Sequence, residues 1–167
     1  SFGITEPIVR FDTHISHIFL AGDRAYKLKR AVKLDYLDFS TPVKRRRACM
    51  TELRLNRRTA PDLYLYVQTI NRMPDGRIGF GAGEPLDWLV VMQRFDNDAL
   101  LSAVADRGDL TAPLISQLAD TIASFHASLP GIVAADGHDR VRAVIEANDR
   151  SLSIHRNKIL PNFDIEK

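Results

Sequence analysis

The run Ala21-Gly22-Asp23-Arg24-Ala25-Tyr26-Lys27-Leu28-Lys29, followed by a capped helix in which Glu52 is the only acid, decides how this chain is read. Gly22-Asp23 between two β-rich stretches forms a two-residue hairpin turn, with glycine supplying the positive φ that a right-twisted ribbon needs. The strand leaving the turn runs from Arg24 to about Lys29. Its period-two alternation puts Ala25, Lys27 and Lys29 on one face and Tyr26 and Leu28 on the other. Lysines beside an alanine on a strand face fit a cleft better than a core.

Upstream, Ile8 to Phe11 and His17 to Leu20 read as strands joined by the polar connection Thr13-His14-Ile15-Ser16. Downstream, Thr41-Pro42 starts a helix: threonine caps free amides, and proline is pre-set in φ for the first helical position. The helix runs to about Arg58, and Ala60-Pro61 marks its end. Ala48, Cys49 and Leu55 share the side of Glu52. The cations Lys44, Arg45, Arg46 and Arg47 point around most of the circumference, which reads as a solvated face and not as a nucleic-acid stripe.

Leu63 to Ile70 is a further strand, Met73-Pro74-Asp75-Gly76-Arg77 a turn, and Ile78 to Phe80 the returning strand. The apolar run Trp88-Leu89-Val90-Val91-Met92 suits a central strand covered on both sides. The expectation is about five antiparallel strands with one helix inserted after the third. Beyond them, Asp98 to Ala105 reads as helix, Gly108 breaks it, and Thr111 starts a long helix. Its stripe of Leu114, Ile115, Leu118, Ile122, Phe125 and Leu129 is the pattern of a helix packed on a core. Gly131 stops that helix. From Asp136 to Lys167 the sequence is polar, with a helix expected around Val141 to Leu152. Strands first and helices second make an α+β chain, divided at residues 1–95 and 96–167.

Composition narrows the class. The 167 residues are 45% hydrophobic, enough for a core. The 23 basic and 21 acidic residues leave a net charge of +2, which is too balanced for a dedicated nucleic-acid binder. One cysteine, Cys49, excludes a disulfide framework and a multi-cysteine zinc site. Within a helix it reads as a buried structural thiol. The five histidines, His14, His17, His126, His138 and His155, have no ligand spacing, so no metal site is expected. No run approaches the roughly 18 apolar residues of a membrane span, and no signal segment opens the chain. The expected location is the cytoplasm, without a membrane partner. Ser1 and the polar stretch after Pro161 and Asn162 read as cuts in a longer chain.

Together these residues resemble the aminoglycoside phosphotransferase-like branch of the protein-kinase fold. The runs Asp12 to Ser16, Gly22 to Arg30, Leu37 to Thr41 and Glu52 to Leu65 look like a bacterial group in which such a domain precedes a P-loop ATP-binding domain in one chain. Val91 to Phe95 and Ala123 to His126 are similar to the hinge of that family and to the helix before its catalytic loop. The resemblance covers about Ile8 to Leu129 and is most specific in the first half. It implies a kinase-like N-lobe over residues 1–95 and the first helices of an incomplete C-lobe over 96–167.

It also implies ATP as the bound cofactor. Ala25-Tyr26-Lys27 has the spacing in which alanine leaves room for adenine and lysine reaches the phosphates, with Glu52 holding the lysine. Lys29, on the same face, stays open as the alternative. Thr13 and Ser16 lie in the connection that would cover the phosphates, and Met92, Gln93, Arg94 and Phe95 form the hinge. The catalytic motif of the family, histidine, glycine, aspartate and a later asparagine, has no match: His138-Asp139 lacks the asparagine, and Asn148 falls too late. No Walker A pattern occurs. Magnesium ligands and any catalytic residue are therefore expected outside this segment, which should be inactive alone.

The leading expectation is the N-terminal portion of an ATP-dependent phosphotransferase acting on a hydroxyl of an unidentified small molecule. The alternatives are a non-catalytic kinase-like binding module and a basic-helix nucleic-acid binder. In an incomplete lobe the Leu114 to Leu129 stripe would be exposed and could drive self-association.

Overall fold

The computed structural model describes residues 7–131 and 136–159, with side chains through residue 154. Ser1, Pro161, Asn162 and the His155 side chain lie outside the described residues. The chain divides into two compact units, Ser1–Leu118 and Ala119–Lys167.

In the first unit the hairpin turn forms where expected. Strand β2 (Ser16–Ala21) returns as β3 (Arg24–Lys29), and Gly22 has a φ of 57° between them. Among the described residues no non-glycine residue has positive φ, so the turn has the pattern of a II′ hairpin, with glycine at the first central position. Strand β1 (Val9–Asp12) pairs with β2 and forms one edge of the sheet. After β3 the chain makes a small separate ribbon, β4 (Lys33–Leu34) with β5 (Leu37–Asp38), and then helix α1 (Pro42–Asn56). The sheet is completed by β6 (Tyr64–Arg72), β7 (Ile78–Gly79) and β8 (Glu84–Gln93), in the order β1-β2-β3-β8-β6-β7 with every pair antiparallel. The α+β class holds, but the sheet has six strands where about five were expected, and the β4-β5 ribbon is additional. Two-residue strands are too short to show an alternation.

Strand β8 is central because both of its faces can be covered. Val90 and Val91 are fully buried, one towards each side of the sheet. On one side Val90 and Met92 cluster with Ala25 and with Cys49 of α1, with Leu20, Tyr64, Val67 and Trp88 packed around them. On the other side Tyr26, Leu28, Phe19, Ile70, Phe80 and Leu89 line an apolar hollow of about 390 Å3. Gly83 sets up the entry to β8, since a Cβ there would fall 2.2 Å from the Arg72 carbonyl oxygen.

Helix α1 begins as read, with the Thr41 hydroxyl accepting from the Lys44 amide and Pro42 at the first turn. It lies on β8 and β6. The expectation of a solvated cationic face fails at Arg45, which is only 7% exposed. Its guanidinium donates to both Asp87 carboxylate oxygens, at 3.0 and 2.9 Å, and to the Phe39 carbonyl at 3.0 Å. A buried guanidinium is tolerated only with such partners. Arg46 stays on the surface with its guanidinium 5.8 Å from the Trp88 ring centre.

After β8 come a 3-10 turn (Asn97–Ala99), α2 (Leu101–Asp106) and α3 (Ala112–Ala127), which crosses from the first unit into the second. Gly108, at a φ of 77°, ends α2 as read. No residue of α3 is buried, and Ile115, Leu118 and Ile122 are 46%, 37% and 46% exposed. The pattern of a helix on a core is therefore not met at these three positions, whereas Leu114, Phe125 and Leu129 are half-buried. The last helix, α4 (Gly137–Ile159), is longer than the Val141 to Leu152 expectation. Among the described residues no helix is long and apolar enough to cross a membrane.

Candidate functional site

Strand β3 delivers Lys27 and Lys29 to the face of the sheet on which α1 lies, and α1 delivers Glu52 between them. Lys27 Nζ donates to Glu52 Oε1 at 2.8 Å, and Lys29 Nζ donates to Glu52 Oε2. One carboxylate is thus shared by two ammonium groups. The Lys29 side chain is 4% exposed, Glu52 13% and Lys27 24%. Burial pushes the Glu52 carboxyl up, but the hydrogen bonds and charges of the two lysines outweigh burial and hold it below its ordinary value. Three sheet-facing turns of α1 carry polar anchors: Arg45 to Asp87, Cys49 Sγ to the Trp88 carbonyl at 3.6 Å, and Glu52 to the lysines. Burial raises the Cys49 thiol to about 11, so it is an inert structural group.

Beside Lys27 the same face opens into a cleft of about 510 Å3. Ala25 and Lys27 from β3, Ile18 and Leu20 from β2, Phe11 from β1 and Met92 from β8 line it, with Tyr64, Arg94 and Phe95 at its side. Burial raises the Tyr64 phenol, which also feels the charges of Glu52 and Lys27. Of the residues singled out from the sequence, the structure brings together Ala25, Lys27, Met92, Arg94 and Phe95 in the cleft, with Glu52 bound to Lys27.

Lys29, Gln93, Thr13 and Ser16 are placed differently. Lys29 is buried behind Lys27. The Gln93 side chain accepts from Arg24, and the Gln93 backbone amide donates to the Leu63 carbonyl at 2.9 Å. Thr13 closes its own turn: its hydroxyl accepts from the Ser16 amide at 2.9 Å. Ser16 is fully buried opposite Lys29, with its Oγ unpartnered. His17 contacts Asp12 through Nδ1 at 2.7 Å on the exposed surface.

The sequence reading missed Ile18, Leu20 and Tyr64 as cleft residues. Strand pairing identifies the first two, because Ile18 lies opposite Lys27 and Leu20 opposite Ala25, and directly opposed residues share a face. Tyr64 had no such signal, since a bulge interrupts the register between Tyr64 and Tyr66.

The chain is 32% identical over 152 residues to uncharacterized proteins of Mycobacterium bovis and of two strains of Mycobacterium tuberculosis. The match takes in 89% of this chain and 29% of each relative, so the chain spans under a third of their length. No family model matches the chain, and no solved structure matches it.

Proposed function

We propose that this chain is the nucleotide-binding lobe of a phosphotransferase with a protein-kinase-like fold. Within that class its residues fit best the aminoglycoside phosphotransferase-like branch, as the N-terminal portion of an ATP-dependent enzyme acting on a hydroxyl of a small molecule. The observation that carries the reading is the Lys27 to Glu52 hydrogen bond of 2.8 Å at the mouth of the cleft lined by Ala25 and Met92. A lysine on the third strand held by a glutamate of the next helix is how kinases present a cation to the phosphates of ATP. The cleft volume falls within the range of small-molecule sites, roughly 300–1,000 Å3.

In this reading Ala25, Leu20 and Met92 take the flat base, Phe95 and Arg94 border it, and the Lys27 ammonium meets phosphate oxygens. Among the described residues no group of three His, Cys, Asp or Glu side chains is arranged to hold a metal ion. The described residues therefore do not fit a magnesium site. With no matching catalytic motif in the sequence, the chain binds nucleotide without turning it over alone. The nucleic-acid alternative has less to rest on, because Arg45 is bound to Asp87 and Arg57 to the carbonyls of Tyr64 and Leu65.

The test is ATP calorimetry, with and without magnesium, on the chain and on Lys27→Ala. A charge-assisted contact corresponds to a loss of about tenfold or more in affinity. Unchanged affinity in Lys27→Ala, or no binding by folded wild type, overturns the proposal.

A further inference from the structure

Among the described residues that line the cleft, Tyr64 alone carries a hydroxyl. An irregularity in β6 puts it there. Tyr64 lies opposite Met92 and Tyr66 opposite Val91, so Leu65 is an extra residue between two consecutive partners. The bulge sends the two tyrosines to opposite faces of the sheet. Tyr64 follows Met92 to the cleft, and Tyr66 follows Val91 to the side of Tyr26. Arg57, at the end of α1, donates to the carbonyls of both Tyr64 and Leu65, and the Tyr64 amide donates to the Ala60 carbonyl at 3.2 Å. The backbone that aims Tyr64 is thus held from two directions.

The Tyr64 ring packs against Ala25, Cys49, Val90 and Met92. A phenylalanine would fill the same space, so packing does not account for the oxygen. The hydroxyl has no hydrogen-bond partner among the described residues, yet it is not sealed from solvent as the Ser16 Oγ is. A half-buried phenol ordinarily finds a partner. The charged groups nearest in effect are Glu52 and Lys27, and burial, the largest influence on the phenol, keeps it protonated. A protonated phenol beside an ammonium is a donor suited to an anion.

We infer that the Tyr64 hydroxyl is a second donor to the anionic group that Lys27 binds: an oxyanion entering the cleft accepts from the Lys27 ammonium and from the Tyr64 O–H together. Lys27 keeps Glu52 throughout, since an ammonium has three donors and the bond to Glu52 Oε1 at 2.8 Å uses one of them. The inference deepens the proposed function and rests on it for the identity of the anion as phosphate of a nucleoside triphosphate. Tyr64 then adds affinity for phosphorylated ligands and none for the bare nucleoside.

The test is calorimetry of ATP, inorganic tripolyphosphate and adenosine on the 167-residue chain, as wild type, Tyr64→Phe and Tyr66→Phe. Tyr64→Phe should lose about tenfold in affinity for ATP and for tripolyphosphate, the worth of a hydrogen bond to a charged group, and leave adenosine unchanged. Tyr66→Phe, altered on the other face, should match wild type with all three. A second measurement needs no change at Tyr64. The wild-type chain, labelled with 13C at tyrosine Cζ, is titrated with tripolyphosphate, and Tyr26→Phe, Tyr36→Phe and Tyr66→Phe identify the other three of its four tyrosine signals. The Tyr64 signal should move.

An equal loss for adenosine assigns the hydroxyl to the base or to the shape of the pocket and overturns the inference. ATP that binds Tyr64→Phe as tightly as wild type, or a Tyr64 signal that stays put while tripolyphosphate binds, overturns it and leaves the nucleotide reading in place. If tripolyphosphate shows both expected effects and ATP binds no more tightly than tripolyphosphate, the inference stands and the nucleotide reading fails. If folded wild type binds neither, both are overturned.

Discussion

Glu52 concentrates the chemistry of the site in one carboxylate, and its titration can be followed as stability. Its folded value lies below the ordinary 4.5, so it contributes stability that is complete above that value and lost as pH falls through the lowered one. The difference in unfolding free energy between wild type and Glu52→Gln should therefore be constant near neutrality and shrink as the solution is acidified below pH 4.5. A gap that widens on acidification would contradict this sign. At Cys49 the expected behaviour is silence: with its thiol raised to about 11 and fully buried, alkylation by iodoacetamide at pH 8 should follow the rate of unfolding. The period-two reading of β3 already put Lys27 and Lys29 together. It could not rank them, because their difference comes from Phe39 and Ser16, which approach from other segments.

Among the elements, α1 shows best what was legible and what was not. Its start was visible in Thr41-Pro42, which act locally on the first turn. Its buried side was not, because the positions that face the sheet are Arg45, Cys49 and Glu52, which break the apolar stripe by which a docked helix is recognised. Arg45 read as one more surface cation since its partner Asp87 lies 42 residues away. Replacing Arg45 by Met should cost about 3 kcal/mol in urea unfolding at neutral pH, as the Asp87 carboxylate would be left without its cation. A loss below about 1 kcal/mol would show that Asp87, 21% exposed, is rescued by water. The central strand was legible because four consecutive apolar residues, Leu89 to Met92, suffice for burial on both faces. The β4-β5 ribbon was not, because Asp38 is held there by Lys44 and Ser40 rather than by strand alternation.

At the level of the whole molecule, the polar chemistry sits on one face of the sheet and the apolar hollow on the other, so a single six-stranded layer separates them. The stripe on α3 is a further apolar feature, with Ile115, Leu118 and Ile122 all open to solvent. Self-association at high concentration is the expected result, and Ile115→Glu with Ile122→Glu should lower the apparent mass in sedimentation without shifting the melting temperature by more than about 2 °C. An unchanged mass would locate the contact elsewhere. The polar anchors of α1 carry a last consequence. A helix seated on hydrocarbon can slide along its axis at small cost, but displacing α1 by one turn, about 5.4 Å, would withdraw Glu52 from both lysines and Arg45 from Asp87 in the same movement. The helix is keyed to the sheet at a single setting. The contacts of Glu52 with Lys27 and Lys29 and of Arg45 with Asp87 therefore exist together or not at all with respect to sliding of α1.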